Sequence, residues 1–100
     1  MNNVTVDVEY CNKCNPDFFK KFQELEKQIK NLHPNVNVHG QVGRRGSFEV
    51  QINGSVVHSK LRTMAYPDCD DLEKLVQEAE EGKLVERQCK QEPISSCSIS

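Results

Sequence analysis

Two alternating runs meet at Asn53-Gly54 in "SFEVQINGSVVHSK" (residues 47–60), and this stretch constrains the chain more than any other. Both central positions of a two-residue type I′ turn need φ > 0, and Asn-Gly takes that backbone with least strain. The stretch therefore reads as an antiparallel hairpin. A two-residue loop sets Glu49 opposite His58 and Val50 opposite Val57. Phe48, Val50, Ile52 and Val57 then share an apolar face, while Glu49, Gln51 and His58 share the other. On that register His58 pairs with Glu49 on a wet face.

The remaining elements follow from periodicity. In residues 4–10, Val4, Val6, Val8 and Tyr10 point one way and Thr5, Asp7 and Glu9 the other, which is a strand with one wet face. Asn15 then caps a helix, Pro16 suits its first position, and Asp17 complements its dipole. Phe18, Phe22, Leu25, Ile29 and Leu32 follow at spacings of four and three, and His33-Pro34 stops the helix. "NVNVH" (residues 35–39) is a second strand and "GQVGRRG" a loop. In "PDCDDLEKLVQEAEEG", Asp68 caps a helix with stripe Leu72, Leu75, Val76 and Ala79, Asp70 and Asp71 complement its dipole, and Gly82 ends it. Residues 86–100 are polar, contain Pro93 and lack an apolar stripe. The expectation is a domain over 1–85 and a flexible tail over 86–100.

The order is β-α-β-β-β-α. A right-handed crossover makes the first two strands parallel, and the hairpin adds two more. The expected fold is α/β: a two-layer sandwich of a four-stranded mixed sheet with both helices on one face, the minimal core of the thioredoxin-like folds.

Composition narrows the function. Thirteen basic side chains stand against fifteen acidic ones with no Lys/Arg stripe, which argues against a nucleic-acid partner. No run approaches the roughly 20 apolar residues of a membrane span. "MNNVTVDVEY" lacks the basic and apolar regions of a secretory signal, so the expected location is cytoplasmic. In a reducing compartment, five cysteines are not a disulfide framework, and a close pair is catalytic or metal-binding.

That pair is Cys11 and Cys14, in "VEYCNKCNPDFF" at the junction of the first strand and helix. A thiol is a useful nucleophile only as thiolate. Both cysteines lie at the carboxyl end of a parallel strand, where open α/β sheets place their sites, and face a helix N-terminus. Lys13 sits between them as a thiolate-stabilising cation, and Arg44-Arg45 belong to a loop expected to lie nearby. Zinc needs two further ligands, and Cys69, Cys89, His33, His39 and His58 are all single, so no metal is expected. The bland reading is two inert small side chains, against which motif and context agree.

"VEYCNKC" followed by a helix, "GSFEVQINGSVVHSK" and "YPDCDDLEKLV" together resemble the selenoprotein W family, the Rdx group of thioredoxin-like proteins. The resemblance spans roughly residues 4–85. Some members carry selenocysteine at the position of Cys14, so this chain looks like a cysteine-containing relative. The resemblance implies a cytosolic redox module acting through a Cys11–Cys14 disulfide. It also implies glutathione as reductant and protein partners such as 14-3-3 proteins, without a further cofactor. One departure stands out: thioredoxins place a cis-proline before the third strand, where this chain has "RRGSF", which puts general disulfide-reductase activity in doubt. Thioredoxin logic names Cys11 as attacking thiol, and the selenocysteine precedent names Cys14. Proximity to Asn15-Pro16 leans to Cys14.

Cys69 reads as a spectator near a helix start. Cys97-Ser98-Ile99-Ser100 fits a C-a-a-X prenylation signal at Cys97, although Ser98 is not aliphatic. Cys89 could take palmitate, with Lys83, Arg87 and Lys90 as a thin basic patch, since one prenyl chain anchors only reversibly. The alternative function is therefore a prenylated, membrane-tethered signalling adaptor serving protein–protein interaction.

Overall fold

The computed structural model describes residues 3–13, 16–83, 85 and 87–91. The expected sites Cys14 and Cys97, and the expected cap Asn15, lie outside these residues. The described elements are β1 Thr5–Tyr10, α1 Asp17–Leu32, β2 Asn37–Val42, β3 Phe48–Ile52, β4 Ser55–Ser59, α2 Lys60–Thr63 and α3 Cys69–Glu80.

The strands form one mixed sheet in the order β2-β1-β3-β4, with β1 parallel to β2 and antiparallel to β3. Alternation in β1 and β3 aims Val6, Val8, Val50 and Ile52 at the helical layer. There they meet Phe22, Leu25 and Ile29 of α1 and Leu72, Leu75 and Val76 of α3, all in one buried cluster. Each such burial contributes about 1.5–3 kcal/mol as an upper estimate. α1 begins after Pro16 without a side-chain cap, whereas Asp68 caps α3 by accepting from the Asp70 amide at 2.9 Å.

β2 lies later than the alternation suggested, running to Val42 instead of ending at His39. Gly40, expected in a loop, pairs with Val8. A Cβ there would stand 2.4 Å from the Phe22 ring, so the glycine leaves room for that ring to lie over the strand.

The hairpin turn is as expected, with Asn53 at φ 51° and Gly54 at φ 86°. The register beyond it is not. A β-bulge makes Gln51 face Val56 while Val50 faces His58 and Glu49 faces Ser59. One extra residue in β4 therefore turns His58 onto the face of Val50, and the expected Glu49–His58 pair does not form. His58 is 1% exposed, and its Nε2 lies 2.7 Å from the Ala65 carbonyl. Burial pushes its pKa down.

Glu49 is buried as well, on a face expected to be wet. The unforeseen one-turn helix α2 follows β4 directly, and its first amides donate to the Glu49 carboxylate: Lys60 at 2.9 Å and Leu61 at 3.3 Å. The Ser59 hydroxyl donates to the same group.

The segment from residue 87 to 91, expected to be free, is docked. Arg87 makes two bonds to Asp71, at 2.7 and 2.9 Å, and the Lys90 amide donates to the same carboxylate at 2.8 Å. The Cys89 amide donates to the Val57 carbonyl at 2.8 Å, so the segment lies against β4 and covers its outer edge there. Cys89 is buried, which removes it from the palmitate reading. Asp71, expected only to complement a dipole, is the anchor.

Candidate functional site

β1 ends at Tyr10, and Cys11 is the next residue. Its amide donates to the Ser47 carbonyl at 3.0 Å, tying the strand end to the residue before β3. The Cys11 side chain is 1% exposed and belongs to the core cluster. Beside it opens a cavity of about 340 Å³ lined by Cys11, Asn12, Lys13, Val42, Gly43 and Arg45. A depression of about 400 Å³ on the solvent side of α1 is lined by Glu24, Lys27, Gln28, Asn31 and Leu32, with no cysteine among these described residues.

The residues expected around the thiols thus come together in part. Lys13 and Arg45 flank the cavity, and both are solvent-exposed. Arg44 does not join them. Its amide and Nε donate to Glu9 Oε2 at 2.7 and 3.0 Å, and its guanidinium also stands 3.7 Å from Glu49. The Arg44 guanidinium holds the Glu9 carboxyl below its usual range, against a smaller upward push from burial.

Ser47 is the last residue before β3. Its carbonyl is taken by Cys11 and its amide by the Arg44 carbonyl at 3.0 Å. Both main-chain groups are therefore engaged within the fold.

Aromatic rings pack around Tyr10 and Tyr66. The Tyr10 ring stacks on Phe22 with centroids 5.4 Å apart and meets Phe19 at 5.7 Å. Phe18 and Phe48 both meet Tyr66 edge-on, and the Lys60 ammonium lies 4.6 Å from the Tyr66 centroid. Among the described residues no group of three His, Cys, Asp or Glu is placed to hold a metal ion. Among them, too, no helix is long and apolar enough to cross a membrane.

Comparison with known proteins fits this geometry. The sequence model of the Rdx family matches residues 5–78. The chain belongs to the Rdx family. This Rdx protein is 34% identical to Migration and invasion enhancer 1 of Mus musculus over 86 residues, covering 86% of this chain and 73% of that one. Identity to the Bos taurus counterpart is 33% over the same coverage. Among solved structures, a selenoprotein W-related protein from Vibrio cholerae superposes with a TM-score of 0.70 at 19% identity, covering 78% of this chain and 98% of that one. A Bordetella parapertussis protein superposes at 0.68 and 15% identity, covering 78% and 99%. The fold is thioredoxin-like, as the order of elements implied.

Sequence reasoning missed the parts of the candidate site that depend on strand pairing. Glu9 and Glu49 looked like ordinary wet-face carboxylates, and nothing in "GRRGS" separates the role of Arg44 from that of Arg45. The signal lay in β1–β3 register, which puts Glu9 directly opposite Glu49.

Proposed function

We propose that this chain is a thiol–disulfide redox module, an oxidoreductase or redox sensor, working through Cys11 and Cys14. The observation that carries the reading is the place of Cys11. It directly follows a parallel strand in a thioredoxin-like sheet and lines a cavity together with Lys13 and Arg45. That is where open α/β sheets present chemistry, and nearby cations favour a thiolate.

Burial divides the roles. A thiol that is 1% exposed is poorly placed to meet a substrate from solution but well placed to resolve a mixed disulfide formed by its neighbour. Cys14, three residues on and known here from the sequence alone, is then the attacking thiol and Cys11 the resolving one. Glutathione is the proposed reductant of the resulting disulfide, and redox-active cysteines of partner proteins its proposed targets.

The test is alkylation rate against pH for the protein and for Cys11→Ser and Cys14→Ser, with the labelled residue mapped by mass. Cys14 should react faster than a free cysteine, whose pKa is about 8.5, and Cys11 slowly until the fold opens. Equilibration in glutathione buffers should then give a single two-electron transition. If neither thiol outpaces a free cysteine at neutral pH, the redox reading fails.

A further inference from the structure

The docked segment over residues 87–91 brings a second pair of thiols together. Pro67 and Gln91 form an antiparallel bridge. Two steps on, in opposite directions along the two chains, come Cys69 and Cys89. The chains keep contact between those steps, because the Asp68 amide donates to the Lys90 carbonyl at 2.8 Å. Asp68 is still extended, with φ −74° and ψ 117°, so it carries Cys69 on towards Cys89 as α3 starts. The Cys89 thiol donates to the Asp68 carbonyl at 3.6 Å, and that carbonyl belongs to the peptide joined to Cys69. Both side chains meet one apolar cluster, Cys89 as a buried member and Cys69 packed against it. Opposed residues of an antiparallel pair have Cα atoms about 4.5–5.5 Å apart, inside the roughly 4.4–6.8 Å that a disulfide spans. The backbone around Cys89 is fixed as well: its amide donates to the Val57 carbonyl at 2.8 Å, and the Lys90 amide donates to Asp71 at 2.8 Å. Both cysteines carry thiols in this structure.

We propose that Cys69 and Cys89 are a second redox site, which hydrogen peroxide oxidises to a disulfide that locks residues 87–91 onto the start of α3. Exposure sets the order of events. Cys69 is partly exposed and within reach of a small solute, whereas Cys89 is buried and its thiol is pushed up to about 12 by desolvation. The Cys69 sulfur attacks one oxygen of the peroxide, and the oxygen–oxygen bond breaks to leave a sulfenic acid and one water. The Cys89 sulfur then attacks the sulfenic sulfur. A sulfur–sulfur bond forms, the sulfur–oxygen bond breaks, and the departing hydroxide takes the Cys89 proton as a second water. The pair gives up two electrons and the peroxide accepts them. Hydrogen peroxide is small and uncharged, which suits a thiol flanked in sequence by Asp68 and Asp70 better than an anionic oxidant does. Exchange with a reducing thiol restores the two cysteines. No step uses Cys11 or Cys14, so this site stands or falls apart from the redox reading above.

The experiment treats the reduced full-length protein with hydrogen peroxide at low protein concentration, blocks the remaining thiols, digests with trypsin and maps linked fragments by mass. Cutting after Arg62, Lys74, Arg87 and Lys90 releases residues 63–74 and 88–90, each with one cysteine. The two fragments should appear joined, two hydrogens lighter than their sum, and should separate on reduction. Cys14→Ser should still give the joined fragments. In the oxidised protein, amide exchange at Cys89 and Lys90 should slow by at least about tenfold, because the cross-link holds the segment when the Arg87–Asp71 contact opens. Cys69→Ser changes a side chain that is only partly buried and should fold. In that variant the slowing should vanish, with exchange before oxidation as in the wild type. If Cys69 collects as sulfinic acid while Cys89 keeps its thiol, or if Cys89 is found linked to another cysteine, the proposal is overturned. It is overturned too if both stay thiols under peroxide that oxidises free cysteine. Joined fragments without slower exchange would refute the lock.

Discussion

Glu9 and Glu49 stand directly opposite one another across the β1–β3 pair, with the Arg44 guanidinium reaching both. Like charges at opposed positions destabilise a sheet unless something intervenes. Here Arg44 intervenes for Glu9, while Glu49 is held mainly by Ser59 and the first amides of α2. Glu49→Ala leaves those part-buried donors without an acceptor and should destabilise the fold by about 1–3 kcal/mol in chemical denaturation. A loss below about 0.5 kcal/mol would mean that water replaces the carboxylate without penalty.

His33 bridges α1 to α3. Its Nε2 lies 2.6 Å from Glu73, and its Nδ1 meets Glu80. Partial burial pushes its pKa down, but the hydrogen bonds to Glu73 and Glu80 outweigh that, and the net shift is upward. A raised folded-state pKa stabilises fully below the unfolded value of about 6.5 and is lost as pH rises through the folded value. The stability difference between wild type and His33→Gln should therefore be larger at pH 6 than at pH 9. Equal differences at the two pH values would show that the imidazole acts there only as a neutral hydrogen-bonding group.

Asp71 is held down to about 2 from 3.8, first by the Arg87 guanidinium and then by the Lys90 amide, against an upward push from burial. A depressed carboxylate stabilises above its unfolded pKa and loses that contribution as pH falls towards the folded value. The shift corresponds to roughly 2 kcal/mol at neutral pH, since one unit is about 1.4 kcal/mol. Asp71→Asn should lower stability by that order and speed amide exchange at Cys89 and Lys90. Unchanged exchange there would show that the strand-like contacts to Val57 hold the segment alone.

Gly54 has φ +86° and nothing within 4 Å of where a Cβ would sit. Gly54→Val meets no clash, so its effect is torsional, about 1–2 kcal/mol of destabilisation. Thermal melts of Gly54→Val and Gly54→Asn separate the effects, because asparagine tolerates the left-handed region. Equal melting temperatures for the two would contradict the torsional account.

The features legible in the sequence were those that repeat. α1 and α3 announced themselves through stripes at helical spacing, and the hairpin through Asn53-Gly54. The bulge left no such trace, because Val56, Val57 and His58 suit a strand in either register. α2 is one turn long, too short for any period, and Gly40 looked like a loop residue because the Phe22 ring over it is eighteen positions away in sequence. The docking of Arg87 on Asp71 is likewise a pairing across the fold, invisible to local composition. For the site, the thiol position followed from the strand end, whereas the division between Arg44 and Arg45 needed the opposed carboxylates.

Cys89 has a consequence for experiment. Its thiol is buried and pushed up to about 12, first by desolvation and then by the Asp71 charge. In the docked form it is chemically silent to alkylating reagents at neutral pH. Once residues 87–91 lift off β4, the same thiol meets water and regains ordinary reactivity. The labelling rate of Cys89 thus works as a built-in clock for detachment of the C-terminal segment, running on a separate dial from the chemistry proposed at the β1 end. One reagent, read residue by residue, times both events in the same sample.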